Sequence, residues 1–270
     1  MKTPYLARRR HFLTTATALA FTLTFAAPTS QAAEPDASSL IQEAWARYRL
    51  GGGTEQESIK LRMERPKQAA ELKQLSRWTR FQAHGERVLI RFKAPQEDRG
   101  LALLISRDSS AEPSQMWLRM PSWPQARRIS ADRENRYFGG TDLSFEDNRQ
   151  LLGEAIAGFQ YKLLKSSPEA WQIEATPREG TSSAYAKRRI TVSAGSLAVT
   201  EILYFDAEGS LLKTQRQEEI KLEPSGRWRA GRVIVDNHKE ARRSVFEIEQ
   251  RQFGAALPER LFSPAGMVEP

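Results

Sequence analysis

The sequence predicts a mainly β protein with a few α elements: one large antiparallel sheet, curved or barrel-like, with a few covering helices. Three observations predict it. About a dozen segments alternate apolar and polar residues with period two. Well-marked turns such as Asp206-Ala207-Glu208-Gly209, Pro224-Ser225-Gly226 and Ser166-Ser167-Pro168 separate them. Two stretches alone read as helix, one near residue 40 and one after Phe145.

The chain opens on a segment to be set aside. Lys2, Arg8, Arg9 and Arg10 form a basic region without acids, and Leu13 to Ala27 is an apolar run of 15 residues. That run is too short to span a bilayer and right for a signal peptide. Ser30-Gln31-Ala32 offers small residues at the cleavage positions, so residues 1–32 are expected to be a signal peptide and 33–270 a single exported domain. Arg9-Arg10-His11-Phe12-Leu13 resembles a twin-arginine signal, which leaves the export route open. The expected location is the periplasm. Cleavage takes the net charge from +8 to +4, since the signal holds four positive residues and no acid. A moderate basic excess suits transient contact with an anionic membrane face and makes no special argument for nucleic acid.

Asp36 to Leu50 comes next, with Ile41, Ala44, Trp45 and Tyr48 at helical spacing. Ser38 or Ser39 is the expected N-cap, and Gly51-Gly52-Gly53 the stop. Then the period becomes two. Ile59, Leu61 and Met63 alternate with polar neighbours. Arg77 to Ala83 and Arg87 to Phe92 flank a turn at His84-Gly85-Glu86, followed by Leu101 to Ser106 and Gln115 to Met120. The second half adds 159–164, 170–176, 188–193, 199–205, 211–222, 228–237 and 244–253. Glu112-Pro113-Ser114 and Arg178 to Ser183 are hairpin-sized, so no linker divides the chain.

Catalytic and cofactor motifs are not evident. There is no Cys, hence no disulfide, thiolate nucleophile or Cys-bound zinc. His84 and His238 are the only histidines after the signal and fall at strand ends or turns. No GxSxG, P-loop or GxGxxG occurs. Neither a cofactor nor a metal is expected, and the protein is not expected to be an enzyme.

The most unusual stretch is Phe138 to Asp147, FGGTDLSFED. Its three acids suggest a metal or acid–base site, or a turn followed by a helix start. Local physics favours the second reading. Gly139-Gly140 permits a tight or left-handed backbone. Ser144 can cap a helix with Asp147 three residues on, and Glu146 and Asp147 then sit in the first turn, where the helix dipole favours carboxylates. Phe145, Leu151, Leu152, Ala155 and Ile156 would give that helix an apolar side. Asp142 is left to cap the turn or to pair with Arg127, Arg128 or Arg136 as a latch.

These residues carry a family resemblance. Trp117-Leu118-Arg119-Met120-Pro121, then Arg127-Arg128-Ile129, then the decamer resemble in order the outer-membrane lipoprotein-sorting group of the LolA-like superfamily. Arg87 to Gly100 and the late Asp206 to Lys213 hairpin extend the match over nearly the whole exported chain. Arg119 stands where a tyrosine is common. The resemblance implies an incomplete β-barrel whose mouth is closed by helices over an apolar cavity. It implies binding of lipid or lipoprotein acyl chains and association with an inner-membrane export pump of the resistance–nodulation–division (RND) type. It also leaves open a sensor or adaptor role of the RseB kind. The motif residues expected to act as structural latch are Phe138, Gly139, Thr141, Asp142, Glu146 and Asp147. Cavity candidates follow from alternation and helix face alone. They are Trp45 and Tyr48 on the first helix, Ile59, Leu61, Met63, Phe81, Ile90, Phe92, Met116 and Leu118 on strands, and Phe145 and Leu152 on the covering helix. Alternation marks an inner face without saying whether protein or ligand fills it.

Overall fold

The computed structural model describes Met1 and residues 35–49, 51–82, 85–108 and 114–268. The expected signal peptide, His84 and Glu112-Pro113 lie outside these residues. The first element, α1 (Ala37–Arg49), buries Ala37, Leu40, Ile41, Ala44 and Trp45, the repeat of an amphipathic helix. Its cap is Asp36, not Ser38 or Ser39: the Asp36 carboxylate accepts from the Ser39 backbone N–H at 2.7 Å. An acid at this position also meets the positive end of the helix dipole.

Six consecutive strands follow as a meander: β1 (Gly53–Glu64), β2 (Glu71–Gln82), β3 (Gly85–Ala94), β4 (Ala102–Arg107), β5 (Gln115–Arg119) and β6 (Arg127–Arg128). After an irregular stretch containing α2 (Phe145–Asn148), a second meander runs through β7 (Phe159–Ser166), β8 (Ala170–Pro177), β9 (Lys187–Ser193), β10 (Val199–Phe205) and β11 (Leu211–Glu218). A two-stranded ribbon, β12 (Lys221–Leu222) with β13 (Trp228–Arg229), precedes β14 (Arg232–Asn237) and β15 (Arg242–Phe253). The predicted strands 211–222 and 228–237 are therefore each broken in two. Glu219 adopts φ 54°, and Gly231 N–H turns to the carbonyls of Glu218 and Glu219, which takes the chain out of the ladder.

Among the described residues, thirteen strands form one antiparallel sheet in the order β6-β5-β4-β3-β2-β1-β15-β14-β11-β10-β9-β8-β7. The hairpin β14–β15 sits between the meanders and joins β11 to β1. The sheet is not closed: β6 and β7 are free edges. The result is a mainly β, incomplete barrel.

One face carries two apolar clusters. The first lies under α1 and joins Ile41 and Trp45 to Ile173, Ile190, Val199, Ile202 and Trp228. The second lies under residues 138–152 and joins Leu61, Val88, Phe92, Leu103, Ile105, Phe138 and Leu152. Tyr48 packs against both. The opposite face of β3 and β4 is covered as well, by Phe262 and Met267 from the C-terminal segment over Leu89 and Leu104. Strands buried on both faces read as continuous apolar runs, as Leu101 to Ile105 does.

The covering element after Phe145 is much shorter than expected. A capping box starts it: Ser144 Oγ accepts from Asp147 N–H, and the Asp147 carboxylate accepts from Ser144 N–H. Only one α turn follows, then a 3-10 turn, Arg149–Leu152, that ends at Gly153 with φ 81°. A Cβ at Gly153 would lie 2.7 Å from Arg49 Nη1, so chain and α1 meet closely there. Ile156 belongs to a separate 3-10 turn, Ile156–Gly158, and Ala155 lies between the two.

Gly139 has φ 62°, and a Cβ on it would stand 2.5 Å from Phe92 Cζ. The left-handed backbone costs a side chain about 1–2 kcal/mol and the overlap about 1–3 kcal/mol. Gly139→Ala is expected to lower stability by about 2–5 kcal/mol, measured as a shift of the urea unfolding midpoint; a shift worth under about 0.5 kcal/mol would show that the turn and Phe92 yield freely.

Candidate functional site

A cavity lies between α1, residues 138–151 and the middle strands of the sheet. Counting its open mouth, the empty space is about 940 Å³. The interior is narrow, with a cavity volume of about 90 Å³, several waters' worth. The sheet contributes Ile59, Leu75, Ile90, Phe92, Phe246 and Ile248 as one apolar wall. Register explains the grouping. Ile59 stands opposite Ile248 on one side and Leu75 on the other, and Leu75 opposite Phe92.

Of the residues predicted from sequence, Trp45, Tyr48, Ile59, Ile90 and Phe92 line this space, as do Phe138, Thr141 and Asp147 of the decamer. Leu61, Met63, Phe81, Met116, Phe145 and Leu152 are buried in the cluster behind it, and Leu118 packs half-buried against that cluster. Leu75, Phe246, Ile248, Val233 and Leu143 line the space without having been cavity candidates, and Leu151, expected on the apolar side of the covering helix, lines it too. Alternation within β15 would have found Phe246 and Ile248.

Residues 138–152 are fixed by buried polar bonds. Asp142 does not pair with Arg127, Arg128 or Arg136. Its carboxylate accepts from Arg242 Nε at 2.9 Å, Asn237 Nδ2 at 3.0 Å and Ser244 Oγ at 2.8 Å. These partners lie on β14 and β15, about a hundred residues away in sequence. Asp147 accepts from Lys213 Nζ and, at 2.9 Å, from Tyr185 Oη. The Lys213 ammonium also lies 4.9–5.4 Å from the rings of Tyr137, Tyr185 and Tyr204, a favourable cation–π setting. Burial pushes the Tyr185 and Tyr204 hydroxyls well above their usual range, so both remain protonated donors. Glu146 reaches Ser183 and the Ala184 N–H on the far side, and burial raises its pKa. Leu152 O accepts from Arg49 at 3.1 Å and Arg107 at 2.6 Å. The acids of the decamer thus serve as buried anchors as well as helix starters. Among the described residues no group of three or more His, Cys, Asp or Glu is placed to hold a metal ion.

The other end of the cavity is ionic. On β1, Glu55 and Glu57 fall in the same alternation as Ile59 and are buried. Glu57 stands directly opposite Arg77 on β2 and Arg251 on β15. Arg251 faces inward because β15 carries a bulge. Ile248 pairs with Ile59 and Gln250 with Ser58, so Glu249 is the extra residue and the phase flips after it. Arg229 binds Glu55 at 2.8–3.1 Å and lies 4.2 Å from the Tyr48 ring. Burial by itself would raise the Glu57 pKa, but the Arg77 and Arg251 guanidiniums outweigh it and hold Glu57 at about 2.

A family model described as "Uncharacterized protein" matches residues 84–269. Three solved structures resemble the fold. A domain named for outer membrane lipoprotein sorting, from Vibrio parahaemolyticus, has a TM-score of 0.77 at 20% identity, covering 86% of this chain and 97% of that one. A DUF1329 family protein from Desulfovibrio piger has a TM-score of 0.77 at 18% identity, covering 86% and 98%. A LolA superfamily protein from Nitrosomonas europaea has a TM-score of 0.61 at 20% identity, covering 85% and 98%. No protein of curated function matches the chain. The family model spans more than half of the residues, so the chain belongs to the family described as "Uncharacterized protein", and its fold is that of the LolA-like structures.

Proposed function

We propose that this protein is a periplasmic carrier that holds acyl chains of a lipid or lipoprotein in the cavity under α1 and residues 138–151. The single observation that supports the reading most is the apolar wall of Ile59, Leu75, Ile90, Phe92, Phe246 and Ile248 inside an open sheet. Each methylene withdrawn from water there contributes roughly 0.8 kcal/mol, so a few carbons suffice for useful affinity. The narrow interior requires opening before a chain enters. Residues 138–152 are held by buried ion pairs, whereas α1 is held mainly by its apolar face, with Trp228 Nε1 donating to Ala44 O and Arg229 to Tyr48 O. Opening therefore falls to α1, and an RND-type transporter in the inner membrane is the proposed donor or acceptor of the cargo.

Native mass spectrometry of the protein taken directly from the periplasm is expected to show a bound lipid. The carrier reading fails if the preparation is free of lipid and fluorescent fatty acids do not bind. A stoichiometric membrane-protein partner recovered with an empty cavity would instead favour a sensor or adaptor of the RseB kind.

A further inference from the structure

The cavity has a charge asymmetry that binding of hydrocarbon does not use. Arg77, Arg229 and Arg251 line it, while their carboxylates Glu55 and Glu57 stay out of the lining at 3% and 2% exposure. Three guanidiniums against two carboxylates leave one positive charge in excess at this end. Asp147, the carboxylate on the lining, is already paired with Lys213. Arg229 is fully engaged by Glu55 and by the carbonyls of Tyr48 and Trp228. Arg77 differs. It donates to Glu57 through Nε, and its two Nη groups make no hydrogen bond among the described residues.

A second observation points the same way. Trp45 Nε1 and Gln150 Oε1 are buried without a hydrogen-bond partner, on residues that line this cavity and are 2% and 8% exposed. Trp228, by contrast, satisfies its Nε1 on Ala44 O. An unpaired buried polar group is costly, and a polar ligand group relieves that cost. The wall therefore presents open donors on Arg77 and Trp45 and an open acceptor on Gln150. Arg77 stands in register opposite Ile90 and two residues from Leu75, so this polar corner continues directly into the apolar wall.

We propose that the cavity selects an amphiphile with a terminal oxyanion, a carboxylate or a phosphate, seated on the Arg77 guanidinium with its chain over Leu75, Ile59 and Phe92. The inference rests on the carrier reading above and names the class of its cargo. A guanidinium suits both oxyanions, because its planar fork matches two oxygens at once.

The test measures binding of hexadecanoic acid, hexadecyl phosphate, hexadecanol and inorganic phosphate to the signal-free chain. Both anionic amphiphiles are expected to bind at least about tenfold more tightly than hexadecanol, as one charge-assisted hydrogen bond allows. The tighter of the two identifies the headgroup. Arg77→Met is expected to abolish the preference, read as the ratio of anionic-amphiphile to hexadecanol affinity within the variant. Arg77→Lys, which keeps the partner of Glu57 charged, retains part of it and serves if Arg77→Met does not fold. Equal binding of acid and alcohol overturns this inference and leaves the carrier reading standing. Binding of neither sinks the carrier reading itself. A preference that survives in both variants, or inorganic phosphate binding as tightly as the amphiphiles, also overturns it.

Discussion

Asp147→Ala lowers the melting temperature of the protein by roughly 6–20 °C. The Asp147–Lys213 pair is almost wholly buried, with both side chains at 2% exposure or less. Removing one member leaves Lys213 charged beside three tyrosine rings with no carboxylate, and breaking such a pair costs about 3–5 kcal/mol. In a domain of this size each kcal/mol corresponds to about 2–4 °C. Asp147 also closes the capping box and accepts from Tyr185, so its loss frees one end of the segment that roofs the cavity. Lys213→Met combined with Asp147→Ala is expected to recover part of the loss, because the stranded ammonium is gone. Thermal unfolding of the two single variants and the double variant measures the coupling. A loss below about 1 kcal/mol in Asp147→Ala would show that the roof is held by its apolar contacts alone.

The second large effect is in acid. Glu57 is held at about 2 in the folded protein, against 4.5 for an ordinary glutamate. The unfolded chain therefore binds the proton more readily than the folded one. The stabilisation is fully present above about pH 4.5 and is lost as pH falls through about 2. At about 1.4 kcal/mol per pKa unit it amounts to about 3 kcal/mol. Glu146 and Glu134 act in the opposite sense, since burial raises their pKa values and protonation favours their folded forms. Glu57→Gln isolates the acid. At neutral pH it leaves Arg77 and Arg251 facing a neutral amide, at a cost of about 3–5 kcal/mol. The gap between wild type and variant then narrows from pH 4.5 towards pH 2. A gap that stays constant across this window would show that Glu57 does not carry the charge balance of the cluster.

The fold was legible because its signals are local. Alternation marks the strands, glycine and proline mark the turns, and the face of α1 repeats every three to four residues. The capping box at Ser144 was equally readable, being complete within four positions. What the sequence conceals is partnership across the sheet. Asp142 has arginines close by in sequence at 127, 128 and 136, yet its partners come from β14 and β15, which enter the sheet beside β1 late in the chain. The length of the element after Phe145 was overestimated because Leu151 and Leu152 continue an apolar pattern, while Gly153 stops the helix where Arg49 of α1 crosses. Glu55 and Glu57 look like surface acids in a polar stretch. Only their phase with Ile59, Leu61 and Met63 hints that they face inward, and phase says nothing of the arginines that make such burial tolerable.

The bulge at Glu249 separates two chemistries along one strand. Before it, Phe246 and Ile248 of β15 present hydrocarbon to the cavity. Beyond it, the same geometry presents a guanidinium. The polarity of that end of the cavity is therefore set by a count of residues rather than by their kind. Closing the bulge with Glu249 kept, so that Glu249 stood opposite Ser58 and Gln250 opposite Glu57, would turn Gln250 and Gln252 inward and send Arg251 to solvent without replacing any side chain. Gain or loss of such a bulge lets a sheet of unchanged architecture change the polarity of one end of its cavity.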